Sequence, residues 1–404
     1  MQRGINVRPM QLAEKVFSSQ SVCPTAASQL YVAHGLLGNA GNWTTASRHL
    51  VEHPALKDQI RRVIAVDMRN HGSSAHSSDH TNAALASDLE ALVLREQQEL
   101  NRTFRDPASC KTRHSILIGH SMGGLAVIGA LLRRANEGRL LASCVDRCDG
   151  ADSEPSYGAW STEHRRRCVA GMRAVNEEFG FAPSQPISDA LFYNRQAFSP
   201  PSTGSANAPR IPLLGRVAGA IIVDVTPTVQ LGKQRSGGDS VKETLERMTQ
   251  VRLDAIHNYK DAAAELIRVG MADQEMRNFV ATNIMLDPTD KSKPAQWRCH
   301  LPVLAGDYGS FQPSMTSWFT SSAAPSMEQA SSATAPRPCT LPVMFVFGGK
   351  SPYNVPEDRH QISHFFPNAT QVEVAGAGHF VHYEKPNEFT DAVAPFIASL
   401  ISQP

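Results

Sequence analysis

Residues 114–124, His-Ser-Ile-Leu-Ile-Gly-His-Ser-Met-Gly-Gly, limit what this chain can fold into more than any other stretch. An apolar run gives way there to a glycine-bounded pentapeptide, Gly119 to Gly123, and then to a helical pattern from Leu125 to about Arg134. The spacing predicts strand, sharp turn, helix. Gly119 and Gly123 flank the serine because a turn this tight brings backbone segments close, where side chains would collide. Ser121 is left projecting above the carboxyl end of a parallel sheet and at a helix N-terminus, whose free N–H groups favour developing negative charge. That is the position expected of a nucleophile.

Upstream, Ser28 to Ala33 reads as a short strand, a β-branched and aromatic run ending in His34-Gly-Leu-Leu-Gly38, with a helix from about Trp43 to Val51. If that loop lies beside the serine turn, the N–H groups of Leu36 and Met122 can bind the oxyanion of a tetrahedral intermediate, each donor contributing roughly 3 kcal/mol to the transition state. Arg62 to Val66 is a continuous apolar strand of the parallel kind. Asp67, Arg69 and His71 after it are expected to tie down a loop rather than to catalyse. From Asn82 to about Gln98, Leu85, Leu89, Leu92 and Val93 recur on one helical face. Alternating strand and helix patterns make the first 140 or so residues an open, doubly wound, mostly parallel sheet.

The regularity then stops. Residues 140–215 read as an inserted segment, partly helical and partly disordered, whose Arg165-Arg-Arg167 run is a solvated face. The sheet resumes with Val217 to Val223, and Asp224 falls at its carboxyl end, on the same edge as Ser121. Helices are expected over about 240–270 and 273–286, forming a lid that Trp297, Leu301, Val303 and Leu304 continue. Residues 312–339 form a Ser/Ala/Pro/Thr-rich tract without periodicity. Leu341 to Phe347 is a further buried strand, Thr370 to Val374 another, and the glycines of Ala375-Gly-Ala-Gly-His379 can carry His379 over the sheet edge. His382 is the competing histidine, set at the start of the last helical region, which runs from about Pro386 to Ile401.

Composition excludes several classes of function. A formal net charge of +1 gives no electrostatic reason to expect nucleic acid or a membrane surface as partner. The 15 histidines are scattered without metal-ligand spacing, so neither metal nor cofactor is expected. Seven cysteines at irregular intervals suit reduced thiols in an intracellular protein, and no run of eighteen apolar residues predicts a membrane span. The first nineteen residues carry Arg3, Arg8 and Lys15 against Glu14 without an apolar core. They are no secretory signal and have only a faint organelle-targeting character, leaving cytoplasm or mitochondrion as the expected location.

Six motifs together resemble one family. Leu30-Tyr-Val-Ala-His-Gly-Leu-Leu-Gly38, Val66-Asp-Met-Arg-Asn-His-Gly72, Ile118-Gly-His-Ser-Met-Gly-Gly124, Ile222-Val-Asp-Val-Thr-Pro227, Gly348-Gly-Lys-Ser-Pro-Tyr353 and Ala375-Gly-Ala-Gly-His379 are similar to the YbfF-type esterases and the eukaryotic abhydrolase domain-containing protein 11 group. The resemblance implies an α/β-hydrolase fold with a small helical cap, and it covers the chain except for about 140–215 and 310–340, the two long insertions. The chain thus divides into a core of 1–139, 216–232 and 340–404, an insertion of 140–215, a cap of 233–309 and a loop of 310–339. It implies carboxylic ester or thioester hydrolysis by Ser121, Asp224 and His379, in the chain order of that superfamily's triads.

Most α/β-hydrolases place an acid after the strand here read as 341–347, but no carboxylate occurs before Glu357 and Asp358, which favours Asp224. In some eukaryotic relatives the acid is an aspartate after a Trp-Arg pair in the cap; Pro302 stands near that place, and Asp307 is the nearest alternative. Acyl transfer, or a binding role for a hydrolase fold, are the competing functions. Substrate chain length and oligomeric state are not legible in the sequence.

Overall fold

The structure, a computed structural model, describes residues 9–19, 26, 28–103, 114–132, 135, 217–228, 241–290, 293–306 and 338–402. The expectations for 140–215, for 310–337 of the 310–339 loop, for Arg165 to Arg167 and for Asp307 lie outside these residues. The described chain forms a seven-stranded sheet in the order β1-β3-β2-β4-β5-β8-β9. Its strands are β1 (Ala13–Phe17), β2 (Ser28–Ala33), β3 (Ile60–Asp67), β4 (Ser115–His120), β5 (Val217–Val223), β8 (Val343–Gly348) and β9 (Ala369–Val374). All neighbours pair in parallel except β1, which runs antiparallel to β3 with Ala13 opposite Asp67.

Strict alternation along the central strands builds two cores. Leu30, Val32, Val63, Ala65, Ile116, Ile118, Ile221 and Val223 face one side, with helices Thr44–Glu52 and Pro386–Ile401. Tyr31, Ala33, Ile64, Val66, Leu117, Ala220 and Ile222 face the other, with helices Asn82–Thr103 and 122–132. A sheet covered on both faces needs apolar residues at successive positions, which is why these strands read as continuous runs. Each fully buried Val, Leu, Ile or Phe contributes about 1.5–3 kcal/mol.

Residues 241–306 extend the second core with Leu245, Met248, Ile256, Leu266, Val280, Ile284, Leu301 and Leu304. The single helix expected over 240–270 is two, Val241–Thr249 and Tyr259–Arg268. Asn258 divides them, because its side chain accepts from the N–H groups of Lys260 (2.8 Å) and Asp261 (3.1 Å) and caps the second. The helix expected to reach residue 286 ends at Ala281, and β6 (Ile284–Met285) pairs with β7 (Gln296–Trp297). Pro302 lies in the first turn of helix Leu301–Gly306, where its missing N–H costs nothing. No helix among the described residues is long and apolar enough to cross a membrane.

Candidate active site

Ser121 is the first residue after β4 and adopts φ 51°, a left-handed conformation rare for a residue with a side chain. The glycines around it are there for space. A Cβ on Gly123 would lie 2.5 Å from the carbonyl oxygen of Ala33, and one on Gly119 would strike the backbone of Gly123. Ser121 N–H donates to the Val223 carbonyl (3.0 Å), which locks the turn to the end of β5, and helix 122–132 begins at Met122.

Asp224 follows β5, is 0% exposed and has φ 55°. Its Oδ1 accepts the N–H of Gly348 (3.0 Å). Its Oδ2 accepts the hydroxyl of Ser351 and Nδ1–H of His379, the latter at 2.6 Å. The structure therefore brings Asp224 and His379 together across 155 residues of chain. The ring of His379 lies 4.6 Å from that of His120, the neighbour of Ser121, and 4.3 Å from that of Tyr353. Among the described residues no hydrogen bond joins Ser121 Oγ to His379. Such bonds are often long in free enzymes and tighten only with substrate.

The loop bearing His379 is held by side chains that the sequence did not single out. The Glu384 carboxylate accepts N–H from Gly378 (2.6 Å) and Phe380 (3.0 Å), the two residues flanking His379. His120 Nε2–H donates to the His379 carbonyl (2.9 Å). Burial, then the neighbouring His379 and His382, hold the His120 pKa well below its ordinary value, so it remains a neutral donor. The signal for Glu384 was its place five residues beyond His379, opening the last helical region; for Ser351 it was its place in Gly348-Gly-Lys-Ser-Pro-Tyr353, where the sequence assigned it no role.

His382 is packed away from the carboxylate. It is 2% exposed and stacked on Trp43 at 3.8 Å, and burial lowers its pKa to about 3. The loop after β3 is tied down as expected. Arg69 makes a two-pronged pair with Asp88 (2.7 and 2.8 Å), and Asp67 accepts the N–H groups of Ala40 and Ser73 (both 2.7 Å). His71 is fixed as a neutral ring, with Nε2 accepting from Leu37 N–H (3.1 Å) and Nδ1–H donating to the Arg69 carbonyl (2.9 Å).

The 34–38 loop touches the serine turn, since a Cβ on Gly35 would lie 3.1 Å from Ser121 Cβ. Leu36 and Met122 thus flank the serine, and among the described residues their N–H groups are taken by no carbonyl. Residues 241–306 reach the same rim. The ring of Phe279 lies 4.6 Å from that of Phe380, and Asn283 Nδ2–H donates to the Leu37 carbonyl (2.6 Å).

Residues 30–392 match the sequence profile described as the alpha/beta hydrolase family. The chain belongs to that family. It is a hydrolase by that membership, and its relatives are those the motifs pointed to. It is 24% identical over 400 residues to the sn-1-specific diacylglycerol lipase ABHD11 of Mus musculus, covering 98% of this chain and 88% of the relative. It is 23% identical over 370 residues to Esterase YbfF of Escherichia coli (strain K12), covering 92% and 93%. Among solved structures, a marine microorganism esterase superposes with a TM-score of 0.52 at 16% identity, over 96% of this chain and 99% of that one. That likeness concerns the fold.

Proposed function

We propose that this alpha/beta hydrolase cleaves carboxylic esters or thioesters through an acyl-enzyme on Ser121. The observation that carries the reading is the 2.6 Å bond from His379 Nδ1–H to a fully buried Asp224 carboxylate, at the strand end beside Ser121. Ser121 Oγ attacks the acyl carbon while His379 Nε2 takes its proton. The tetrahedral oxyanion is bound by the N–H groups of Leu36 and Met122. Collapse expels the alcohol or thiol, which receives the proton from His379. Water, activated by the same imidazole, then attacks the acyl carbon, and release of the acid regenerates Ser121. Asp224 holds the imidazole in the tautomer with Nε2 free and stabilises the imidazolium.

Residues 241–306 serve as the cap, and Phe279, Phe380, Tyr353 and Leu36 give the acyl site an apolar, aromatic character. The names of the esterase and lipase relatives support an ester substrate, and a diacylglycerol belongs in the panel tested. Ser121→Ala decides the matter: it should abolish both p-nitrophenyl ester turnover and fluorophosphonate labelling. Retention of both would remove Ser121 as nucleophile.

A further inference from the structure

The turn that presents Leu36 is strained and is held from two sides. Gly38 N–H donates to the Gly35 carbonyl (3.0 Å), closing a four-residue turn whose third residue, Leu37, has φ 61°. Glycine or asparagine normally fills such a position, because a Cβ there crowds the backbone. With Leu37 N–H held on His71, relaxation of Leu37 to an ordinary negative φ has to swing its carbonyl and the Gly38 N–H away, which opens the turn that aims the Leu36 N–H.

Two side chains oppose that relaxation. His71 Nε2 accepts Leu37 N–H from the core, and Asn283 Nδ2–H reaches the Leu37 carbonyl (2.6 Å) from 246 residues away. Asn283 is 0% exposed, and among the described residues its Oδ1 has no hydrogen-bond partner. A buried amide that leaves half its capacity unsatisfied is costly, so packing alone does not account for it. Its own backbone is fixed, Asn283 N–H donating to Val280 O (2.9 Å) and its carbonyl accepting from Arg298 N–H (2.7 Å). Four residues earlier the same segment places Phe279 against Phe380, next to His379.

We propose that Asn283 is a positioning residue that sets the oxyanion-binding turn through Leu37, so that the turn is competent only when the cap is seated. This rests on the Ser121 reading above. Asn283 touches no reacting atom; it acts by holding the carbonyl of the strained Leu37 while His71 holds its N–H.

The test is Asn283→Leu, which keeps the volume and lacks the donor, read on the full chain with p-nitrophenyl acetate. The expected result is a fall in kcat of roughly 10- to 100-fold, as for a misplaced oxyanion donor. KM should stay within about threefold, and fluorophosphonate labelling of Ser121 should slow in parallel. Adding Leu37→Gly should restore a large part of the loss, because glycine takes a positive φ without strain. A kcat within about twofold of the parent, or a double variant no faster than Asn283→Leu, overturns the inference. If thermal unfolding shows that Asn283→Leu does not fold, Asn283→Ser, too short to reach Leu37, is read by the same criteria. A parent chain that is neither labelled nor active overturns the Ser121 reading itself; an active parent with an unaffected Asn283→Leu overturns this inference alone.

Discussion

Ser121 and Asp224 leave adjacent parallel strands at the same register, His120 opposite Val223, and both do so with a left-handed backbone, φ 51° and 55°. The pair is stitched by Ser121 N–H donating to the Val223 carbonyl (3.0 Å). Two side chains thereby rise from one sheet edge, and only the histidine has to be brought in from a loop. Strain of this kind persists where surrounding structure over-determines it, which is typical of functional sites.

Exchanging the acid tests which carboxylate orients His379. Asp224→Asn should lower kcat for a p-nitrophenyl ester by roughly 10⁴-fold, the size of a wrong-tautomer substitution in other triads. Asp307→Asn should leave kcat within about threefold, and steady-state kinetics of the two variants gives the ranking. The reverse order would move the acid into the cap.

Ser351 donates to the same carboxylate oxygen that receives His379. Its removal takes away a hydrogen bond to a buried charge, worth about 1.5–3 kcal/mol. Ser351→Ala should therefore reduce kcat by roughly 10-fold with KM for a small ester unchanged, and Ser351→Thr should recover part of it. Equal kinetics for Ser351→Ala and the parent would show that Gly348 N–H alone suffices.

Glu384 clamps the backbone on both sides of His379. Glu384→Ala should lower kcat by roughly 10- to 100-fold, because displacement of a catalytic group by about 1 Å has that effect. Glu384→Gln, which keeps one acceptor oxygen, should lose much less. End-point titration of active sites with a fluorophosphonate, read beside kcat, separates a positioning effect from loss of fold, since an unfolded fraction lowers the number of titratable sites whereas a displaced His379 lowers the rate at each one.

Buried histidines make the fold acid-sensitive. Burial lowers His34 to about 4, His71 to about 3 and His382 to about 3, from an ordinary value of 6.5. Protons therefore bind the unfolded chain first: the stabilisation is complete above pH 6.5 and is lost as pH falls from there toward 3–4. The Tm should be flat between about pH 7 and 8 and fall steeply below about 6.5, each histidine shifting the unfolding equilibrium by up to about tenfold per pH unit. His382→Phe should make the decline shallower. A Tm that does not change between about pH 8 and 5 would contradict the buried neutral rings.

Arg69 and Asp88 are 1% and 0% exposed as side chains. Asp88→Ala removes the two-pronged partner of a buried guanidinium and leaves it the Asp79 carboxylate at 3.9 Å, so it should cost up to about 3–5 kcal/mol, seen as a lowered denaturant midpoint. Arg69→Met combined with Asp88→Leu should lose far less, because both charges go together.

The serine turn, the two-faced strands and the candidates Asp224 and His379 were legible in the sequence because each follows from local sterics or a short period. Gly119 and Gly123 declare a close approach, and unbroken apolar runs declare a sheet covered on both sides. The edge strand Ala13–Phe17 was missed because its three central residues, Glu14 to Val16, are exposed and do not alternate; only pairing with β3 makes it a strand. The break at Asn258 and the end of the next helix at Ala281 were missed because apolar spacing continued past both.

Long-range contacts alone decided the rest. The tertiary structure put His379 rather than His382 on Asp224, brought Ser351 to the same carboxylate, and joined Asn283 to Leu37. Local windows hold turns and periods, whereas a hydrogen bond between residues 155 or 246 positions apart exists only once the chain has folded around the sheet.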